Sequence, residues 1–211
     1  MQARVYENTS DVATRLGELG LTEDQLRLSV EAGLSARNTC TKNDPPVLPG
    51  VLMWGRTMRA VRENLAPAGW VGNDDGNYSV TLSADGRMAI GVATGDEGTG
   101  VIAHMPRTKY PKGPATHAAV ARNAQLDLFL PAEPDRKPTE SAGPVTWLLL
   151  IACVGDQVRA ELSCPAGIGD DGRVEAWKER IVLAPVKLGT PVPPDFDPGP
   201  EIDVDVIRRL P

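Results

Sequence analysis

One run limits the fold more than any other, Trp147-Leu148-Leu149-Leu150-Ile151, inside the nearly continuous apolar stretch from Val145 to Cys153. Successive side chains of a strand point to opposite faces, so five consecutive large apolar residues need cover on both. The run therefore predicts a central strand. Gly155-Asp156 supplies a turn, and Val158, Ala160 and Leu162 alternate with polar residues on the return, which predicts a β-hairpin. A second hairpin precedes it in the chain. Tyr78, Val80 and Leu82 alternate, Asp85-Gly86 turns, and Met88, Ile90 and Val92 resume the alternation, giving one buried face.

The N-terminal region carries helical signals. Ser10 is placed to cap a helix from Asp11 to Leu19, with Val12, Leu16 and Leu19 on one face and Gly20 at its end. Thr22-Glu23-Asp24-Gln25 has the order of a capping box, starting a helix that runs to Ala32 and stops at Gly33. Two short helices across a tight turn invite a helix-turn-helix reading. A DNA reader of that kind needs a basic recognition helix, and Glu23, Asp24 and Glu31 stand here against Arg27 alone. Asn38 to Gly50, with Pro45, Pro46 and Pro49, reads as a loop. A longer helix follows from Val51 to Leu65, burying Trp54, Met58, Val61 and Leu65. Together these elements predict an α+β domain, with N-terminal helices packed on an antiparallel sheet built from the two hairpins.

The 211 residues fit a single domain spanning 1–211. Within it, 105–144 reads as a Pro-rich loop insertion with a short helix at Ala115 to Ala124, and 187–211 as a Pro-rich C-terminal segment in which Ile202, Val204 and Val206 form an edge strand. Val174 to Leu183 fits either a helix or a strand. Aromatic residues make up 4% of the chain, so the core must be aliphatic, and Phe129 and Phe196 both lie in polar or proline-rich surroundings. The net charge of −6 repels phosphate, so neither direct nucleic-acid binding nor attachment to an anionic membrane is expected. No apolar run approaches 18 residues and the first residues lack a signal-peptide core, which predicts a cytoplasmic protein. Cys40, Cys153 and Cys164 form no C-x-x-C pair and have only His104 and His117 beside them, as reduced, buried thiols with no zinc site would.

Inside the proline-rich segment stands Gln125-Leu126-Asp127-Leu128-Phe129. This QLDLF string resembles the pentapeptide with which bacterial replication and repair proteins dock on the sliding clamp, the ring that holds polymerases on DNA. All five positions match. With Ser or Asp allowed at its third place, the string arises by chance in on the order of one chain in a few thousand of this length. The resemblance implies that Leu128 and Phe129 anchor in a hydrophobic pocket, Gln125 hydrogen-bonds at its rim, Leu126 fills a shallower subsite and Asp127 is the tolerated small polar residue. It also implies a bacterial protein, and its placement predicts a surface loop.

Other constellations carry less chemistry. Gly95-Asp96-Glu97-Gly98-Thr99-Gly100 lacks the Lys-Ser/Thr of a phosphate-binding loop and reads as a flexible connection. Arg56, Arg59 and Arg62 form a row that suits an anionic partner or a solvated helix face. Asp74, Asp75, Asp96 and Glu97 flank the first hairpin, and if they converge they are metal ligands for a DNA-processing enzyme recruited by the same motif. No pattern for a Ser-His-Asp triad is present. The residues thus favour a non-enzymatic interaction protein that docks on the clamp without a cofactor, as a replication or repair accessory or a competitor. The alternatives are the metal-dependent enzyme and an acidic adaptor with no clamp role.

Overall fold

The computed structural model describes residues 3–128 and 143–187. Among these, β1 (Arg4–Tyr6), α1 (Thr9–Glu18), α2 (Glu23–Arg37) and α3 (Leu48–Leu65) precede β2 (Val71–Asn73), β3 (Val80–Leu82) and β4 (Met88–Thr94). Then come α4 (Pro114–Leu128), β5 (Val145–Val154), β6 (Gln157–Ile168), β7 (Val174–Val182) and β8 (Val186–Lys187). The chain is an α+β protein around one eight-stranded sheet of order β1-β7-β6-β5-β4-β3-β2, with β8 pairing on β6.

Both expected hairpins form. β3 pairs antiparallel with β4, and Gly86 takes φ +68° in their turn. β5 pairs antiparallel with β6 across a two-residue turn in which Gly155 has φ +59°. The sheet as a whole is mixed rather than antiparallel, because β4 runs parallel to β5 and β1 parallel to β7. Parallel neighbours need a crossover of a dozen or more residues, and the segment between Thr94 and Val145 supplies one.

That crossover changes the reading of 105–144. Residues 114–128 form a fifteen-residue helix rather than a short one within a loop, and Ala119, Val120 and Asn123 are buried. Val120 packs with Ala93, Leu148, Leu150, Val174 and Trp177 on one face of the sheet. Val12, Leu16, Leu26, Val30, Met58, Val61 and Leu65 of α1–α3 cover the other, against Ile90, Leu149, Ile151, Leu162 and Ile181. β5 is thus covered on both sides, as its apolar run requires: Leu149 and Leu150, adjacent in sequence, are both fully buried in different clusters. The first hairpin is covered on both faces as well. Thr81, opposite in alternation to Val80 and Leu82, is 0% exposed, and its hydroxyl lies 3.8 Å from Met58 Sδ. Val174–Val182 is a strand, β7, in which Trp177 is a core residue.

The helix boundaries differ in instructive ways. α1 starts at Thr9 after Asn8, one turn-fragment ahead of the Ser10 cap. Thr22 forms the expected capping box, its amide donating to Gln25 Oε1 and its hydroxyl accepting from Gln25 N. α2, however, does not stop at Gly33; it continues for another turn to Arg37. The reason is packing against α3. A Cβ at residue 33 would collide with the Thr57 side chain and stand 2.7 Å from the Met53 carbonyl, so the glycine is the site of closest helix approach rather than a terminator. α3 begins three residues early, at Leu48, with Pro49 in its first turn, where the missing amide costs nothing. Ile202, Val204, Val206 and Phe196 lie outside the described residues. Among the described residues no helix is long and apolar enough to cross a membrane.

The α2–α3 crossing gives a direct test. Gly33→Ala should destabilise the protein by about 1–3 kcal/mol through overpacking, whereas Gly17→Ala, in α1 with open space around it, should stabilise by roughly 0.5–1 kcal/mol. Urea denaturation of the two variants checks the contrast.

Candidate functional site

The central polar feature of the sheet is an ion pair with no access to water. Arg180 of β7 is 1% exposed and Glu161 of β6 is 0% exposed. Arg180 Nη2 donates to Glu161 Oε2 at 2.7 Å and Nε to Oε1 at 3.0 Å, a bidentate arrangement. Its remaining donors reach the carbonyls of His104 at 2.8 Å and Val101 at 3.1 Å. Glu161 also accepts from Ser163 Oγ at 2.7 Å and from the Gly100 amide at 2.9 Å.

These bonds fix the connection that leaves β4. Gly95 extends the ladder by donating to Ile151 O, and it bridges back to Thr108. Asp96 caps a tight turn, accepting from Gly98 N at 3.0 Å. Farther on, Trp177 Nε1 donates to Pro106 O at 2.7 Å, and the Lys109 amide returns to Thr94 O at 2.8 Å. The glycine-rich stretch expected to be a loose connection is instead held along its length, and Thr99 within it is wholly buried.

The held loop forms one wall of an open cleft of about 530 Å³ beyond the carboxyl ends of the parallel strands β4 and β5. Arg37, Asp96, Glu97, Lys109 and Cys153 line it. Arg37 comes from the extra turn of α2. Cys153, expected to be a buried small hydrophobe, is exposed, with its Sγ 3.7 Å from Met53 Sδ. Desolvation by its neighbours pushes the Cys153 thiol up, and the positive charges of Arg37 and Lys109 oppose that shift. Cys164 is buried as expected, Cys40 is partly so, and none of the three is in a disulfide among the described residues.

The four acidic residues weighed as metal ligands do not come together. Asp74 is bound by Arg62, at 2.6 and 3.1 Å, and by Ser79 at 2.6 Å. These bonds hold its carboxyl below the usual carboxylate range. Asp75 accepts from Asn73 Nδ2 on the same side of the first hairpin, whereas Asp96 and Glu97 line the cleft past the end of β4. Among the described residues no three His, Cys, Asp or Glu side chains are grouped closely enough to hold a metal ion. The arginine row is also largely committed within the chain. Arg59 pairs with Glu63 and Arg62 with Asp74, which leaves Arg56 as the exposed member without an ion pair among the described residues.

The QLDLF residues divide. Gln125 to Leu128 form the last turn of α4 rather than a loop, and Gln125 is exposed. Phe129 lies outside the described residues. Two residues before the motif, the fully buried Asn123 fastens α4 to the sheet. Its Nδ2 donates to Thr146 O at 2.8 Å and Pro165 O at 3.1 Å, and its Oδ1 accepts from Thr146 N at 2.9 Å. Comparison of the chain with protein-family models, curated proteins and solved structures gives no match.

Removing half of the buried pair should be costly. Arg180→Met leaves the Glu161 carboxylate buried without its cation and should cost about 3–5 kcal/mol, while Arg180→Met with Glu161→Leu should recover much of that loss. Chemical denaturation of the single and double variants, with exchange of the Gly100 amide as a local probe, measures both effects.

Proposed function

We propose that this chain is a non-enzymatic interaction protein that docks on the bacterial sliding clamp through Gln125, Leu126, Asp127, Leu128 and Phe129, acting as an accessory or a competitor in replication or repair. The observation that carries the reading is positional. The motif begins two residues after the buried Asn123, in the last turn of α4, and its leading glutamine is exposed. In the docked state Leu128 and Phe129 are the anchors, Gln125 the polar latch at the pocket rim, and Leu126 the auxiliary contact. Opening the last turn of a helix disrupts few backbone bonds, because terminal turns fray readily.

Energetics limit the affinity. Burying one leucine and one phenylalanine yields roughly 1.5–3 kcal/mol each, and ordering the segment takes part of this back, so a single site binds in the micromolar range. A ring presents more than one equivalent pocket, and two engaged copies gain apparent affinity from local concentration. The acidic net charge is consistent with contact to the clamp rather than to DNA.

Titration of purified protein against bacterial clamp, beside the variant carrying Leu128→Ala and Phe129→Ala, decides the reading. Micromolar binding by the unaltered chain and a loss of at least about tenfold in the variant are expected, since the two anchors together supply more than 1.4 kcal/mol. No binding by the unaltered chain, or equal binding by both, rejects it.

A further inference from the structure

Arg37 occupies a position that the fold leaves chemically incomplete. It is 8% exposed, its guanidinium has no hydrogen bond or ion pair among the described residues, and its Nη1 is shut off from solvent without a partner. Burying a guanidinium costs several kcal/mol unless an anion or acceptors meet it. The C-terminal dipole of α2 offsets a part of that cost, since Arg37 sits in the helix's last turn. A helix end carries only about half a charge, which leaves the remainder unmet. By contrast, all three guanidinium nitrogens of Arg180 in the same molecule donate, to Glu161 and two carbonyls.

Arg37 faces the cleft beyond β4 and β5, together with Lys109 and Cys153. The carboxyl ends of parallel strands are where open sheets gather ligands, and about 530 Å³ lies within the range of small-molecule sites. The planar fork of an arginine matches the oxygens of a carboxylate or phosphate. Asp96 and Glu97 on the facing loop are suited to a hydroxyl or ammonium group on the same ligand, and they disfavour a molecule that is anionic throughout. We propose that this cleft binds a small molecule through its carboxylate or phosphate group, with Arg37 as the anchoring residue and the Asp96–Gly98 turn holding a hydroxyl- or amine-bearing part. The site is separate from the clamp motif, and neither proposal depends on the other.

Cys153 provides the reporter. Iodoacetamide labelling of the full chain, followed by peptide mass spectrometry of Cys153, is to be measured in inorganic phosphate, acetate and chloride at equal ionic strength. Phosphate or acetate should slow Cys153 labelling about threefold relative to chloride once the ion reaches about twice its dissociation constant. Protection by phosphate alone assigns a phosphoryl ligand, and protection by acetate assigns a carboxylate. In Arg37→Met the protection should disappear. Equal labelling in all three salts overturns the proposal, as does protection that persists in Arg37→Met. If that variant does not fold by circular dichroism, the three salts with the unaltered chain decide alone.

Discussion

The Arg180–Glu161 pair is the interaction on which the layout of this protein depends. Two opposite charges taken wholly out of water repay their desolvation only when geometry is good and the remaining donors and acceptors are met. Here the fork grips both carboxylate oxygens, and the leftover valences are filled by Ser163, Gly100, Val101 and His104. Three of these four lie in the connection leaving β4. Apolar residues would fill the same volume but have no direction to impose, whereas the ion pair fixes the path of the connection across the sheet. The placement of Asp96, Gly98 and Lys109 along the cleft follows from that path.

A second constraint acts on the sheet itself. An apolar strand such as β5 needs cover on both faces, and three N-terminal helices packed together can cover only one. The other face is covered by α4 and by the loop that Trp177 and Arg180 hold. Both lie between Thr94 and Val145, so the segment that covers the second face also brings β5 in parallel to β4. One stretch of chain therefore sets the mixed topology, the second core layer and the cleft at the strands' carboxyl ends.

These relations explain what the sequence disclosed and what it hid. The hairpins, the capping box at Thr22 and the buried stripe of α3 were legible because each rests on contacts near in sequence. The parallel pairing of β4 and β5 was not, although fifty residues between two hairpins leave ample room for a crossover. Glu161 and Arg180 lie 19 positions apart on alternating strands, where a charged residue ordinarily marks the solvent face. Gly33 misled for a related reason: a glycine that ends a helix and one that admits a neighbouring helix look alike in sequence, and only the position of Thr57 separates them. The extra turn of α2 carries Arg37 to the cleft, so misplacing the helix end also concealed the residue with the clearest unmet chemistry. The clamp-like string was visible from the start, yet its helical setting depends on Asn123, whose partners Thr146 and Pro165 are distant in sequence.

The two proposed sites lie toward different ends of β5. Asn123, just before the clamp-like motif, is bonded at Thr146 near the start of the strand, while Cys153 in the cleft is near its finish. Seven residues separate Thr146 from Cys153, about 23 Å at roughly 3.3 Å per residue of extended strand. A partner seated on the end of α4 therefore need not cover the cleft, and a small molecule bound at Arg37 does not reach the motif. Any coupling between them has to pass through the buried sheet or through α4, whose inner face, with Ala119, Val120 and Asn123, is packed and bonded onto it. Close-packed layers of this kind resist graded deformation, and no second arrangement of either element is evident to transmit a signal. The two proposals therefore predict independent behaviour, docking read at the α4 terminus and ligand binding at the loop that the buried ion pair holds.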